Sequence, residues 1–408
     1  MANITNLDSM LDIIEKLDYK VLLGDRVISV KDRISRGGFG GIYRSGKDVI
    51  KVVNGFTIPL NEMAGRIGVE EDNIYGAEIG YNKENGHRSI NLFMDGVKPQ
   101  LHHLNRADSN TLGAIIAEVE IGRHLQGLDY VLSAKEQRFL VYGTPLGFEL
   151  FLGSAFLFDY FDGDNLMDVI GEPTKLSQGV AGDWMEMERL AHEEYIRIEE
   201  EHFGIHLKDD NAVPYNEEQR FEAAIKLGET LKLLWGKGIV HRDIKPNNVM
   251  VSGDPLSKDY QLKLHDYGSA CVIDEGGFPI IDEGKWENLN QDYKKQTNLR
   301  ATREFVAPEH AKDISARITG DIYSYALSVF HILTGTPFFV YSNARGFSVA
   351  RARGVDEFRE INKRSMYDCF DIMGYDKLSA PMSNALGKEE ERNMDALLYS
   401  LREQKNNL

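Results

Sequence analysis

Residues 240–250 read Val-His-Arg-Asp-Ile-Lys-Pro-Asn-Asn-Val-Met and carry the strongest signal in the sequence. Asp243, Lys245 and Asn248 place a carboxylate, an ammonium group and a carboxamide within one short stretch. Groups of this kind can position a reacting hydroxyl and neutralise developing negative charge. The alternative interpretation is an ordinary turn that happens to contain these residue types.

A second carboxylate follows downstream, in the stretch Leu264-His265-Asp266-Tyr267-Gly268. It comes directly after 261–265, whose pattern predicts a short strand. Taken alone, Asp-Tyr-Gly is more often a plain turn. Its position after 240–250 is what makes Asp266 a candidate site residue.

In this order, the two stretches resemble the catalytic loop and the Asp-Phe-Gly motif of the protein kinase family. The resemblance implies that Asp243 orients the proton of a substrate hydroxyl and that Lys245 steadies the γ-phosphate. It makes Asn248 and Asp266 the ligands of Mg²⁺, an ion that prefers oxygen ligands. Tyr267 replaces the phenylalanine and keeps an aromatic side chain at that position.

Upstream, Ser35-Arg36-Gly37-Gly38-Phe39-Gly40-Gly41-Ile42-Tyr43 resembles the glycine-rich loop with which kinases cover the phosphates of ATP. Ser35 stands where the family has its first glycine, and a lone glycine cluster is often only a flexible hairpin. Lys51 lies in Asp48-Val49-Ile50-Lys51, which is similar to the strand whose lysine binds the α- and β-phosphates. Residues 158–166 resemble the interlobe hinge and the helix that follows it, with Phe158 in the gatekeeper position and backbone groups at 159–161 implied to meet adenine.

The resemblance therefore implies ATP and Mg²⁺ as cofactors. The implied nucleotide site consists of Ile34, Gly37, Gly38, Phe39, Gly40, Ile42, Val49, Lys51, Phe158, Asp159, Tyr160, Phe161 and Met250.

The carboxylate partner that the family gives to Lys51 is predicted on a helix over 111–128. Glu118 fits better than Glu120, because Leu125 then falls at the spacing that helix packing in the family expects. Two residues correspond to about 200° around a helix, so both glutamates cannot face Lys51. Glu118 is the predicted partner and Glu120 the alternative.

Two further motifs follow in the family's order. Ala307-Pro308-Glu309 resembles the end of the activation segment, whose hydroxyl groups are Ser269, Tyr293, Thr297 and Thr302. Asp321 resembles the aspartate that anchors the catalytic loop from a buried helix, and it also suits the first turn of a helix.

The order of elements, β-rich first and helix-rich later, predicts an α+β fold. We expect a sheet over 27–53, a strand at 155–161, strands near 249–252 and 261–265, and helices at 216–237 and 319–334. By resemblance the fold is bilobal, with a small β-rich N-lobe and a larger helical C-lobe. The predicted parts are an N-terminal extension at 1–29, an N-lobe at 30–158 with an insertion at about 54–110, a hinge and C-lobe at 159–340 with an acidic insertion at about 174–212, and a divergent helical part at 341–408.

Composition narrows the function classes. The net charge of −17 argues against nucleic acid or an anionic membrane as the main partner. No apolar run is long enough to span a membrane, and the first 20 residues lack the pattern of a secretory signal. Two cysteines are too few for a disulfide framework. We therefore expect a soluble cytoplasmic protein.

The predicted activity is transfer of the γ-phosphoryl group of ATP to serine or threonine hydroxyls of a protein substrate. Lys245, two residues after Asp243, follows the Ser/Thr-kinase pattern, and the acidic charge favours basic substrates. One alternative is a scaffold that uses the fold for binding without turnover, which Ser35 and Gly122 favour mildly. The other is a kinase of small molecules, whose members usually lack the 240–250 pattern and the Ala-Pro-Glu motif.

Overall fold

A computed structural model describes the protein over a defined set of residues. These are 20–23, 26–29, 32–37, 40–45, 47–59, 74–82, 87–94, 97–103, 121–122, 124–132, 136–143, 149–170, 212–273, 305–308, 318–335, 337–338 and 355–408.

The first part of the chain is built from strands, as predicted. They are β1 (Lys20–Leu23), β2 (Arg26–Ser29), β3 (Asp32–Gly37), β4 (Gly40–Ser45), β5 (Asp48–Pro59), β6 (Ile74–Asn82), β7 (His87–Met94), β8 (Val97–His103), β9 (Glu136–Gly143) and β10 (Glu149–Asp159).

Five of these strands form one antiparallel sheet, which we call the main sheet. Its order is β3-β4-β5-β10-β9. The predicted sheet over 27–53 and strand at 155–161 lie within it. The residues Tyr43, Ile50 and Leu157 are neighbours across adjacent strands and are buried on one face of the sheet.

A second sheet lies inside the predicted insertion at 54–110. Strands β6, β7 and β8 pair in sequence order as a three-stranded antiparallel meander. The sequence of this range is rich in Gly, Asn and His, and its apolar residues recur with only weak periodicity. The structure shows why, because register shifts between Ile74 and Gly76 and between Leu92 and Met94 interrupt the alternation of side chains.

The second part of the chain is mainly helical. Its helices are α1 (Leu166–Ile170), α2 (Glu217–Trp235), α3 (Ile318–Thr334), α4 (Val355–Ile372), α5 (Asp376–Ala385) and α6 (Met394–Lys405). Short strands complete it as β11 (Asp164–Asn165), β12 (Ile239–Val240), β13 (Val249–Ser252), β14 (Gln261–Leu264) and β15 (Cys271–Val272). Among the described helices, none is long and apolar enough to cross a membrane.

Helix α2 begins at a capping box. The Asn216 side chain accepts from the backbone N–H of Gln219, whose side chain in turn accepts from the N–H of Asn216. The acidic residues Glu217 and Glu218 in the first turn favour the same end of the helix dipole. These local signals explain why the helix predicted at 216–237 is found at Glu217–Trp235.

Helix α3 is the central element of the helical part. Every residue from Gly320 to Thr334 is buried, so this helix has no solvent-facing side. Such all-round burial requires packing on every side, and α3 packs against α1, α2, α5 and the turn that follows β12. The site described below is anchored on α3.

The last helix, α6, contacts α2 through charged side chains. Ion pairs join α6 to α2, with Arg402 contacting Glu229 and Lys405 contacting Glu222, each at 2.7 Å. Helices α4, α5 and α6 occupy most of the range 341–408, which the sequence predicts to be helical.

Candidate active site

The catalytic-loop stretch folds into a turn between β12 and β13. Residues Pro246–Asn248 form one turn of 3₁₀ helix, which suits a proline in its first position. Lys245 Nζ lies 3.1 Å from Asp243 Oδ2 in an ion pair. Both side chains are largely buried, at 13% and 9% exposed, so the charges are weakly screened by water.

Asn248 is fixed against Asp243. Its Nδ2 donates to the Asp243 carbonyl oxygen at 2.8 Å and to Asp243 Oδ2 at 2.9 Å. Because both contacts are made by the amide nitrogen, the amide oxygen of Asn248 points away from Asp243. The three residues that the sequence nominates in this stretch are therefore brought into direct contact.

Lys51 and Asp266 meet across the site, although they lie 215 positions apart in sequence. Lys51 Nζ, on β5 of the main sheet, donates to Asp266 Oδ1 at 3.3 Å. Burial opposes ionisation of Asp266, but Lys51, His265 and Lys245 outweigh it and hold the pKa of this carboxyl well below its usual range. Asp266 is therefore a carboxylate at neutral pH.

Asp321 anchors the loop from α3. Its Oδ2 accepts from the backbone N–H of His241 at 2.8 Å and from Trp235 Nε1 at 3.0 Å, and its Oδ1 accepts from the N–H of Arg242 at 2.8 Å. Burial raises the pKa of Asp321, while His241 and the three N–H donors oppose that rise. The fully buried carboxylate thus holds the residues that precede Asp243.

Two residues in the site have left-handed backbone conformations. They are Arg242, with φ of 67°, and Asp266, with φ of 66°. This region costs a residue other than glycine about 1–2 kcal/mol. The hydrogen bond from the Arg242 N–H to Asp321 helps to stabilise the left-handed conformation of Arg242.

A histidine pair that the sequence analysis did not single out lies behind the loop. His241 Nε2 donates to the His265 carbonyl oxygen at 3.1 Å, and the His241 ring packs against Tyr267 with centroids 5.1 Å apart. Burial, with Lys51, His241 and Lys245 nearby, lowers the pKa of His265 to about 4. The sequence could have indicated His265, because this residue directly precedes Asp266.

The glycine-rich stretch forms the hairpin of β3 and β4, in which Gly37 pairs with Gly40. Ile34 lies on β3. The two residues between the strands, Gly38 and Phe39, lie outside the described part of the chain.

Predicted nucleotide-site residues share one face of the main sheet. Ile42 pairs with Lys51, and Val49 pairs with Phe158, while Val49 and Lys51 are two positions apart on β5. Paired residues and residues two apart point to the same side of a sheet. This is the face from which Lys51 reaches Asp266, so it faces the site.

The hinge segment, 158–161, leaves β10 at this face. The Tyr160 N–H donates to the Lys47 carbonyl oxygen at 2.9 Å, which removes that N–H from the groups predicted to meet adenine. The Arg44 guanidinium lies 4.1 Å from the centre of the Tyr160 ring, and Lys263 Nζ lies 5.2 Å from that of Phe161. Asp159 is exposed.

Met250 lies on β13, where it pairs with Asn165 of β11. It lies two residues after Asn248, directly beyond the turn that carries the catalytic-loop residues. Glu118 and Glu120, the two predicted partners of Lys51, lie outside the described residues, as do Thr302 and Glu309. Of the helix predicted at 111–128, the structure describes helical residues at 121–122 and 124.

The gathered groups suit a phosphate and a hard metal ion. An ionised carboxylate (Asp266) and an amide oxygen (Asn248) are ligands that Mg²⁺ accepts, and Lys51 and Lys245 can neutralise phosphate. Among the described residues, no cluster of three histidines, cysteines or acidic residues suits a metal by itself. A Mg²⁺ ion here would need phosphate oxygens or water to complete its coordination.

The fold elements and this site resemble those of a protein kinase domain. Residues 183–374 match the family model described as "Protein kinase domain". This match and the curated kinases below support the resemblance to the eukaryotic-type protein kinase superfamily that the motifs indicate.

Several curated kinases resemble the chain in part. Serine/threonine-protein kinase PDK1 of Cryptococcus neoformans is 28% identical over 114 residues, 28% of this chain and 8% of that protein. 3-phosphoinositide-dependent protein kinase B of Dictyostelium discoideum is 31% identical over 172 residues, 42% of this chain and 17% of that protein. Serine/threonine-protein kinase PKH1 of Saccharomyces cerevisiae is 32% identical over 106 residues, 26% of this chain and 13% of that protein. The chain thus spans less than a fifth of the length of these relatives.

Proposed function

We propose that the protein is an ATP- and Mg²⁺-dependent kinase that phosphorylates serine or threonine hydroxyls of a protein substrate. The observation that carries the proposal is the meeting of Lys51 and Asp266 beside Asp243, Lys245 and Asn248. Residues that are scattered in sequence converge into one set of charges suited to phosphoryl transfer.

In the proposed mechanism, the substrate hydroxyl oxygen bonds to the γ-phosphorus of ATP while the bond to the β,γ-bridging oxygen breaks and ADP leaves; Mg²⁺, when bound, would supply positive charge beside the phosphates. Asp243 orients the substrate hydroxyl and accepts its proton, and the adjacent Lys245 faces the negative charge of the phosphate. Asn248 and Asp266 would hold the metal through oxygen atoms. The left-handed backbone at Asp266 and the contacts of Asn248 with Asp243 fix these oxygens before substrate binds, which lowers the cost of reorganisation.

The proposed nucleotide cleft lies between two lobes, a β-rich N-lobe at 30–158 and a helical C-lobe at 159–340. The sheet face that carries Ile42, Val49 and Lys51 forms one wall, and Met250 belongs to the other. Adenine would meet the Asp159 carbonyl and the Phe161 backbone, because the Tyr160 N–H is already bonded to Lys47. Glu118 remains the proposed partner of Lys51 on the helix near 111–128.

Support for a serine/threonine substrate comes from the spacing of Asp243 and Lys245 and from the relatives, which are named serine/threonine kinases. The net charge of −17 supports basic segments as substrates. Cys271 and Cys369 are both buried, and two cysteines are too few for a disulfide framework, which supports a reducing compartment such as the cytoplasm.

Two alternatives are tested together with the proposal. Ser35 in place of the first glycine favours a nucleotide-binding scaffold without turnover. A small-molecule kinase would need the same phosphate-binding groups but a different acceptor.

The test is transfer of labelled γ-phosphate from ATP with Mg²⁺, offered a basic protein, a peptide library and no added substrate. Wild type is run beside Asp243→Asn, with Asp259→Asn as a matched control, since Asp259 is exposed in a turn. We expect label on serine or threonine, a fall of about 100-fold or more in Asp243→Asn, and no change in the control.

Other outcomes separate the alternatives. ATP binding without label on any protein would favour the scaffold. Label on an added small molecule but not on protein would favour the small-molecule kinase. Equal rates for wild type and Asp243→Asn would show that the active-site assignment is wrong.

A further inference from the structure

We propose that Asn165 is a positioning residue for Asn248, acting through the peptide group that joins Asn247 to Asn248. The proposal rests on the proposed kinase function, because that function makes Asn248 a metal ligand. Asn165 lies 82 positions before Asn247, in the stretch that resembles the hinge and the helix after it, where the sequence analysis assigned it no role of its own.

Both ends of the Asn165 side chain are used. Its Oδ1 accepts from the backbone N–H of Met167 at 2.9 Å and so caps the first turn of α1. Its Nδ2 donates to the Asn247 carbonyl oxygen at 2.8 Å. A cap alone needs only an oxygen acceptor, which aspartate or serine would supply equally well. The nitrogen contact therefore requires asparagine rather than another capping residue.

The contact with Asn247 reaches Asn248 because the two share one peptide unit. The carbonyl of Asn247 and the N–H of Asn248 lie in the same plane. That N–H donates to the Lys245 carbonyl oxygen at 3.0 Å, while the carbonyl accepts from Asn165. With both of its ends bonded, the plane cannot rotate without the loss of a hydrogen bond.

The orientation of this plane sets the direction of the Asn248 side chain. The remaining contacts of Asn248 bind its amide nitrogen to Asp243 and its carbonyl oxygen to the N–H of His265, at 3.1 Å. None of these contacts fixes the Asn247 carbonyl. Asn165 thus supplies the restraint from the hinge side of the site, and β11 holds it there by pairing with β13.

The test uses two substitutions that separate the cap from the donor. Asn165→Asp keeps the capping oxygen but places a carboxylate oxygen against the Asn247 carbonyl. Asn165→Ala removes both contacts without adding repulsion. The matched control is Asn216→Asp, the same change at the cap of α2, where the oxygen makes the described contact.

The two Asn165 variants should differ in opposite directions in stability and in Mg²⁺-dependent activity. In urea unfolding, Asn165→Asp should lose less stability than Asn165→Ala, because the carboxylate keeps the cap and favours the N-terminus of α1, which offsets part of its repulsion from the Asn247 carbonyl. In kinase assays the order should reverse, with Asn165→Asp the weaker enzyme. We expect its half-saturating Mg²⁺ concentration to rise about 10-fold, as for other changes next to metal ligands, with the KM for the peptide unchanged. Asn216→Asp should match wild type in both assays.

Calorimetry of ATP binding, with and without Mg²⁺, separates this proposal from the proposed function. If wild type transfers no phosphate, the proposed function is wrong, and the Mg²⁺-dependent gain in ATP affinity still decides the role of Asn165. A gain that is smaller in Asn165→Asp supports the proposal. An equal gain in both proteins, or no gain in wild type, overturns it.

Discussion

Replacement of Asp321 by asparagine tests how the catalytic loop is held. The carboxylate accepts three N–H groups, two on Oδ2 and one on Oδ1. If the asparagine oxygen takes the two donors, its NH₂ group faces the N–H of Arg242, which is left without an acceptor. A buried unsatisfied donor costs about 1–3 kcal/mol, and the other two bonds lose about 1 kcal/mol each when the charge is removed.

Removal of a buried charge returns part of this loss, since burial raises the pKa of Asp321. We therefore expect a net fall of about 3 kcal/mol in the free energy of unfolding. Arg242 also loses a contact that holds its left-handed backbone, so Asp243 moves with it. A displacement of about 1 Å at a reacting group can cost about 100-fold in rate, and we expect a loss of that order in kcat.

The assay is urea unfolding of the full chain together with phosphate transfer. Asp395→Asn is the matched control, because this aspartate is 79% exposed and pairs with Lys232 on the surface. An exposed pair contributes about 0–1 kcal/mol, so the control should stay near wild type in both assays. If Asp321→Asn unfolds within about 1 kcal/mol of wild type and keeps its rate, Asp321 does not anchor the loop in the way described.

Three other predictions use the same methods. Trp235→Phe removes one donor to Asp321, and a loss of about 1–2 kcal/mol is expected in urea unfolding, with a smaller effect on kcat than Asp321→Asn. Gly163→Ala places a Cβ against the Val251 carbonyl oxygen, closer than van der Waals contact allows, and the strain should lower stability by about 1–3 kcal/mol and weaken ATP binding measured by calorimetry. Burial, with Arg220 nearby, lowers the pKa of His331 to about 3, so the unfolded state binds the extra proton as pH falls from 6.5 towards 3. Between pH 6.5 and 3, this histidine should lower the free energy of unfolding by up to about 1.4 kcal/mol per pH unit. His331→Gln should remove this contribution from the plot of unfolding free energy against pH, and an unchanged slope in that plot would contradict the prediction.

The chemistry of the site was predictable where it depends on short spacing. Asp243, Lys245 and Asn248 lie in one turn, so their order in sequence nearly determines that they meet. The helices around the site were also predictable, because α2 begins at a capping box and α3 is rich in apolar residues along its length. Local chemistry was enough for each of these.

Contacts between distant segments were not predictable in the same way. Trp235 donates to Asp321, which lies 86 positions later in the sequence. The sequence around either residue does not indicate that the two are in contact. The ion pair of Lys51 with Asp266 likewise depends on how the main sheet packs against the turn after β14. The sequence analysis predicted Glu118 as the partner of Lys51, and that prediction stays untested beside the contact that the structure shows.

The second sheet was missed for a different reason. Strand prediction depends on strict alternation of side chains, and one extra residue in a strand shifts every later side chain to the other face. Such shifts occur in both pairings of β7. The sequence of 54–110 therefore predicts an insertion with weak periodicity, although three strands lie within it.

The shape of the catalytic loop shows where sequence reasoning ends. Arginine has no preference for the left-handed region, and aspartate enters it only occasionally, yet Arg242 and Asp266 both adopt it. At about 1–2 kcal/mol each, neither conformation would persist without contacts from elsewhere. For Arg242 one such contact is the N–H bond to Asp321, from a helix 79 positions away. For Asp266 it is the neighbouring backbone, where the His265 N–H donates to Asn248 and the Tyr267 hydroxyl donates to Leu264. The loop residues therefore determine which groups take part, whereas α3, β13 and β14 determine where those groups point.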